Sequence, residues 1–470
     1  MTPVTLRYGN LLEPRLGPGR GVDPGRLEEG GELAQGFAGA MDVLQERRKT
    51  GELGFMDLPS DTTLIRQVQE VADSFGQWFE TLVVVGIGGS SLGGRAVAEA
   101  LLDPHWNERT DEERDHFPQL YFLENADPDS TAALLDRVDL RRTLFNVISK
   151  SGGTAETMAQ YMIIEERLRD ELGPDGARGH LLFTTDPDAG ALRALARSRE
   201  IPALPVPANV GGRFSVLSPV GLLPAAVTGV DIEALLAGAA EMQERCLNPE
   251  LTRNPAGLLA GLLHTADTEL GHPVHVFMPY ADRLRALSLW FQQLWAESLG
   301  KKGQGGDATP ESGGVGPTPV AALGAVDQHS LLQLLMEGPR DKVVLFLRVG
   351  RRSEPLPIPR THSEEPALAY LGGHTLEELL DTELRATVEA LRRDGRPSLT
   401  LEVETLDARA LGELFMLFQV ATVLAGGWYG VDPLDQPGVE LGKRLTSGLL
   451  GREGYDRPEL DDAEDGNWTV

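Results

Sequence analysis

The sequence predicts an α/β fold made of two doubly wound domains followed by a C-terminal helical segment, and three observations carry that expectation. Short apolar runs alternate with helical patterns, each run ends in a glycine or polar turn, and the alternation comes in two successive series. Units of this kind build largely parallel sheets. At about 150 residues per domain, 470 residues allow three domains or two large ones.

In the first series, apolar runs at 82–85, 120–123, 145–148 and 181–184 read as strands, each leading into a helical pattern. Two turns echo each other: Asp127-Pro128-Asp129 and Asp186-Pro187-Asp188 both place aspartate and proline where a helix can begin. The second series has strand candidates at 274–278, 343–347 and 399–403, with long helical patterns at 281–299, 376–392 and 408–424. The glycine-rich stretch 303–317 sustains neither period and reads as a loop interrupting the second domain. These elements divide the chain into an N-terminal segment (1–45), a first domain (46–230), a second domain (231–405) and a C-terminal helical segment with an acidic tail (406–470). The tail carries Asp461, Asp462, Glu464 and Asp465 and reads as solvated.

Composition removes several function classes. With 43 basic and 71 acidic residues the net charge is −28, which disfavours nonspecific binding to nucleic acid or an anionic membrane. The single cysteine, Cys246, forms no internal disulfide and rules out a cysteine-based zinc or iron–sulfur site. A reducing cytoplasmic compartment is the simplest expectation. The first forty residues lack the apolar core of a secretory signal, and no uninterrupted apolar run reaches the ~20 residues of a membrane helix.

The candidate chemistry lies in six stretches. Gly86-Ile87-Gly88-Gly89-Ser90-Ser91 joins a strand to a helix and lets a ligand approach the backbone, or is simply a tight connector. Ser91 stands where the dinucleotide fingerprint needs glycine, so nicotinamide binding is disfavoured. Ser149-Lys150-Ser151-Gly152-Gly153-Thr154 offers hydroxyls, backbone N–H groups and a cation at a helix start, which suits a phosphate monoester; helix capping is the alternative. Gly211-Gly212-Arg213 sets an arginine behind two glycines, fit for an oxyanion or for an ordinary ion pair.

The 281–299 helix is apolar on nearly every side, and Gln293 and Glu297, four apart, share one face. Glu297 is either a paired structural acid or a pocket carboxylate able to act on a carbon-bound proton. His329, in Asp327-Gln328-His329-Ser330, and Lys443, in the stretch from Gln436, read as structural or solvated unless a site recruits them.

Together, in this order, GIGGSSLGG, SKSGGTAET, GGRFSVLSPVGLLP, LWAESLGK, DQHS and QPGVELGK resemble the glucose-6-phosphate isomerase (phosphoglucose isomerase) family from Gly86 to Lys443. The resemblance implies two sugar-isomerase (SIS-type) α/β sandwich domains in a homodimer acting on a sugar phosphate. It also implies roles. Ser149, Ser151 and Thr154, with the Lys150 backbone, would hold the phosphate, Gly89 and Ser90 would line the sugar end, and Gln293 and Gln436 would assist. Glu297 would move a proton between C1 and C2, Arg213 would stabilise the enediolate oxygen, and His329 with Lys443 would open the sugar ring, the histidine coming from the neighbouring subunit. No cofactor is implied, because aldose–ketose isomerisation has no net redox change, and no carboxylate–histidine cluster suggests a metal-dependent hydride shift. Gly153 departs from the family, which commonly carries threonine there. Two other functions stand beside this one: an isomerase that also accepts mannose 6-phosphate, and a phosphosugar-binding regulatory module without chemistry, against which the presence of both Glu297 and Lys443 counts.

Overall fold

The computed structural model describes residues 4–76, 78–302, 313–352 and 354–460. Among these the strands are β1 (Thr5–Arg7), β2 (Thr81–Val85), β3 (Gln119–Leu123), β4 (Thr143–Ile148), β5 (Leu181–Thr185), β6 (Ala203–Pro205), β7 (Val274–Pro279), β8 (Lys301–Lys302), β9 (Gly314–Val315), β10 (Thr318–Ala321), β11 (Lys342–Arg351) and β12 (Ser398–Thr405). The first sheet has the order β3-β2-β4-β5-β6, parallel throughout. The second has the order β1-β12-β11-β7-β10, parallel except for β1. Every residue of β2, β4 and β5 is buried, which is why these strands are mostly apolar rather than alternating, and the buried polar pair Thr184 and Asn146 bonds across β5 and β4 at 2.9 Å.

Several elements differ from the sequence expectation, each for a local reason. β1 pairs antiparallel with β12, Thr5 opposite Glu402, so part of the N-terminal segment completes the second sheet. Asp127 caps the helix Pro128–Arg137 by accepting from the Ser130 N–H at 2.8 Å. Its echo does not: Asp186 closes a turn by accepting from Asp188 and Ala189, and the next helix, Ala191–Arg199, starts only after Gly190 at φ +93°. The helix expected from 281 begins as a 3-10 turn, Asp282–Leu284, and becomes α-helical over Arg285–Leu299. Within the glycine-rich stretch, β9 pairs with β8, whereas residues 303–312 lie outside the described residues, as does the acidic tail with Asp461, Asp462, Glu464 and Asp465.

The helix Ala408–Tyr429 runs through the interior, buried from Leu411 to Gly426. By length and composition it could cross a membrane, but 89% of its apolar window is covered by the rest of the protein. It packs on the helix Ile232–Cys246 through paired glycines. A Cβ on Gly412 would lie 1.8 Å from the Leu235 carbonyl oxygen, and one on Gly238 1.9 Å from that of Arg409. The Arg285–Leu299 helix is wedged between this core, the second sheet and the helix Leu92–Leu101 of the first domain. That wedge brings its polar C-terminal turn against the loops of the first sheet.

Candidate active site

The first sheet reverses direction between β2 and β4: from β2 the chain moves outward to β3, then crosses back to β4 and on to β5. A crevice opens at the carboxyl ends of strands at such a point. The loops lining it are 86–91 and 149–154. Gly88, at φ +60°, would place a Cβ 3.0 Å from Gln293 Nε2, and a Cβ on Gly89 would sit 2.4 Å from the Gly212 carbonyl carbon and oxygen. The two glycines therefore let the 86–91 loop mesh with the Arg285–Leu299 helix on one side and with the Gly212-Arg213 backbone on the other. Ser90 follows in the same 3-10 turn.

In the second loop Ser149 is buried and its hydroxyl lies 2.9 Å from that of Thr154. Ser151 is exposed and its hydroxyl accepts from the Gly153 N–H at 3.3 Å. Gly152, at φ +63°, abuts the start of the Ala191–Arg199 helix, where a Cβ would meet the Ala191 and Leu192 nitrogens at 2.8 Å. Thr154 occupies the N-cap of the helix Ala155–Gly179 but makes no side-chain cap bond. The first N–H groups of the helix are thus left without a side-chain acceptor at the cap, the arrangement that attracts phosphate oxygens. Lys150 behaves differently from a phosphate-facing cation. Its Nζ donates to the carbonyls of Ala208 at 2.6 Å and Val210 at 2.9 Å, fastening the segment that leads into Gly211-Gly212-Arg213. Burial lowers its pKa from the usual lysine value, with Asp186 opposing the shift.

Arg213 is 5% exposed, and each of its three side-chain nitrogens donates a hydrogen bond. Nε donates to Ser298 Oγ at 2.9 Å, Nη1 to Gln436 Oε1 at 2.9 Å, and Nη2 to the carbonyls of Pro433 at 2.9 Å and Asp435 at 3.0 Å. Nη1 also stands 3.5 Å from Glu297 Oε1. Burial pushes the guanidinium pKa down while Glu297 and Asp435 pull it up. The opposite oxygen of Glu297 accepts from Gln293 Nε2 at 3.2 Å, and the Glu297 side chain keeps 27% of its surface open. Gln293 Oε1 is buried without a protein partner among the described residues. A carboxylate held between an amide and a guanidinium, open on one side, can take up a proton from a bound molecule, with the positive charge of Arg213 fixed beside it.

Glu297, Arg213, Gln293 and Gln436 are thus brought together beside Gly89 and Ser90. Two predicted residues are not. His329, on the helix Gln328–Glu337, is exposed and its ring makes no hydrogen bond among the described residues. Lys443 lies on the exposed helix Glu440–Leu449, with Nζ 2.9 Å from Glu440 Oε1. Sequence reasoning missed Ser298, which aims Arg213, and Lys301, whose Nζ donates to the Glu297 carbonyl at 3.0 Å and to Asp435. The available signal for Lys301 was its rarity, one of six lysines in the chain, immediately after the Glu297 turn.

The family profile of phosphoglucose isomerase matches residues 67–459. Curated glucose-6-phosphate isomerases align over most of the chain: that of Carboxydothermus hydrogenoformans is 44% identical over 421 residues, covering 89% of each, and that of Rubrobacter xylanophilus 43% identical over 457 residues, covering 97% of this chain and 100% of that protein. The crystal structure of a hypothetical protein from Thermus thermophilus superposes with a TM-score of 0.81 at 38% identity, covering 95% of this chain and 100% of that one. A glucose-6-phosphate isomerase from Chlamydia trachomatis gives a TM-score of 0.70 at 26% identity, covering 83% and 73%.

Proposed function

Because this chain belongs to the phosphoglucose isomerase family, we propose that its site interconverts glucose 6-phosphate and fructose 6-phosphate by moving one proton between C1 and C2, with Glu297 as the base. The observation that carries this reading is the carboxylate of Glu297, fixed by Gln293 and facing Arg213 Nη1 while still reachable from solvent. In the aldose-to-ketose direction Glu297 takes the C2 proton, the electron pair forms a C1–C2 double bond, and charge builds on oxygen. A proton then passes from the C2 hydroxyl to the C1 oxygen, leaving the charge on O2, and returning the carbon-bound proton to C1 as C2 becomes the carbonyl completes the isomerisation with no net redox change. Arg213 Nη1 exchanges its contact with Gln436 or Glu297 for the charged oxygen, a donor that stays protonated at any working pH. Ser149, Ser151, Thr154 and the adjoining N–H groups hold the phosphate, and Lys150 acts by keeping the Arg213 loop in place.

Ring opening falls to His329 and Lys443, both outside the site within one subunit. We infer that a homodimer supplies the histidine. Its exposed, unbonded ring supports this, and one subunit also leaves apolar residues exposed at Leu356 (61%) and Tyr370 (68%), in the segment before the helix Leu376–Arg393, and at Leu441 (65%) and Leu450 (77%), at the C-terminal helix. Glu297→Gln tests the assignment. In a coupled assay supplied with fructose 6-phosphate, the variant should lose at least about 10²-fold in turnover and still bind the sugar phosphate. Turnover near that of the wild type would reject Glu297 as the base.

A further inference from the structure

Lys301 sits at the end of the Arg285–Leu299 helix with 9% of its side chain exposed, and its ammonium has three partners. Nζ donates to the Glu297 carbonyl at 3.0 Å, to the Asp435 carbonyl, and meets Asp435 Oδ1 at 3.0 Å. The first is one of the carbonyls a helix leaves free in its last turn, where a cation is favoured. The Asp435 carbonyl is shared, since Arg213 Nη2 donates to it at 3.0 Å as well as to the Pro433 carbonyl. Gln436, the next residue, offers Oε1 to Arg213 Nη1. One ammonium therefore ties the turn bearing the proposed base to the strand of carbonyls that aims the proposed oxyanion donor.

We propose that Lys301 is a positioning residue of the isomerase site: by clamping Asp435 to the Glu297 turn it sets the separation of Glu297 and Arg213 without touching the sugar. This rests on the proton-transfer reading above. Arg213 reaches its Ser298 partner whatever Asp435 does, so losing the clamp frees only one end of the guanidinium. The damage falls on the step in which Arg213 must meet developing charge. Phosphate capture, at Ser149 to Thr154, is made by other elements and stays intact.

The test uses the full-length wild type, Lys301→Met, Lys301→Arg and Asp435→Ala, with steady-state turnover of fructose 6-phosphate and competitive inhibition by inorganic phosphate as probe of the phosphate loop. Lys301→Met should lose about 10- to 100-fold in kcat, the scale of a misplacement of about 1 Å in a catalytic group. Its KM and phosphate inhibition constant should stay within about threefold. Lys301→Arg should recover most of the turnover. Asp435→Ala, which keeps the backbone carbonyl and the ammonium, should lose about 3- to 10-fold, and it carries the test should Lys301→Met fail to fold. A kcat for Lys301→Met within twofold of wild type would overturn the proposal. So would a phosphate constant that worsens in step with kcat, or an arginine variant no better than methionine. If Glu297→Gln stayed active while Lys301→Met did not, the base assignment would fall and the clamp, acting through Arg213, would stand.

Discussion

Placing a methyl group on Gly89 is the sharpest available test of how the site is assembled. The added Cβ would lie 2.4 Å from the Gly212 carbonyl carbon and oxygen, where ordinary contact begins at about 3.4 Å, so the two backbones must part by about 1 Å. Gly212 immediately precedes Arg213, whose Nη1 already stands 3.5 Å from Glu297. Displacing a catalytic group by about 1 Å typically costs about 10²-fold, and kcat/KM of Gly89→Ala should fall by that factor. Folding should hardly register the change: overpacking of this kind costs about 1–3 kcal/mol. At about 2.1 cal/mol/K per residue, a chain of 470 residues unfolds with an entropy near 1 kcal/mol/K, so Tm should drop only about 1–3 °C. The matched control is Gly153→Ala in the neighbouring loop, where a Cβ meets nothing within 4 Å. Steady-state kinetics and thermal melts of the two variants should therefore part company, activity lost in one and kept in the other at nearly equal stability. A Gly89→Ala enzyme within threefold of wild type, or equal losses in both variants, would refute the argument.

Lys150→Met should act at a distance from the phosphate: with its two carbonyl ties to Ala208 and Val210 gone, kcat should fall about as much as KM rises, each by several-fold, whereas a direct phosphate contact would be seen as a rise in KM alone. Acid should loosen the core through His275. This ring is fully buried, accepts from Trp295 Nε1 at 3.1 Å on Nδ1, and is held by desolvation at a pKa of about 3, against about 6.5 when unfolded. Since the folded value is the lower one, the unfolded chain binds the extra proton first, and stability is lost as pH falls from about 6.5 towards 3. At 1.36 kcal/mol per unit, this is about 2 kcal/mol by pH 5. Urea melts of the wild type and of His275→Asn at pH 7 and pH 5 should show a smaller pH penalty in the variant; equal penalties would rule the histidine out.

How much of this was readable in the sequence follows from what each residue's neighbours are. The two strand series and their glycine turns were legible because a buried parallel strand is apolar over most of its length and must end where backbone meets backbone. Glu297 and Gln293 were legible as a pair because four residues make one helical turn. That Arg213 would face them was carried by the family resemblance alone; its actual anchors are carbonyls of Pro433 and Asp435, and backbone carbonyls leave no mark on side-chain pattern. Lys150 shows the converse failure: a rare cation in a phosphate-like loop, whose ammonium finds two unpaired carbonyls on the far side instead. Asp186 repeats the letters of Asp127 but not its role, because the residue that begins the next helix is set by Gly190 and its left-handed backbone. His329 and Lys443 lie beyond reach for a different reason, in that one subunit does not bring them to the crevice.

The pairing of β1 with β12 also has a temporal side. Thr5 leaves the ribosome about 400 residues before Glu402, the residue it will sit opposite. At a synthesis rate of about 5–20 residues per second, the nascent chain spends roughly 20–80 s with those first residues unclaimed. A three-residue edge strand is short enough to wait in water without recruiting a stranger, and the last sheet to be made is the one that retrieves it. Pairing β1 into the second sheet is thus a late event in biosynthesis, reserved for chains that have been completed through β12.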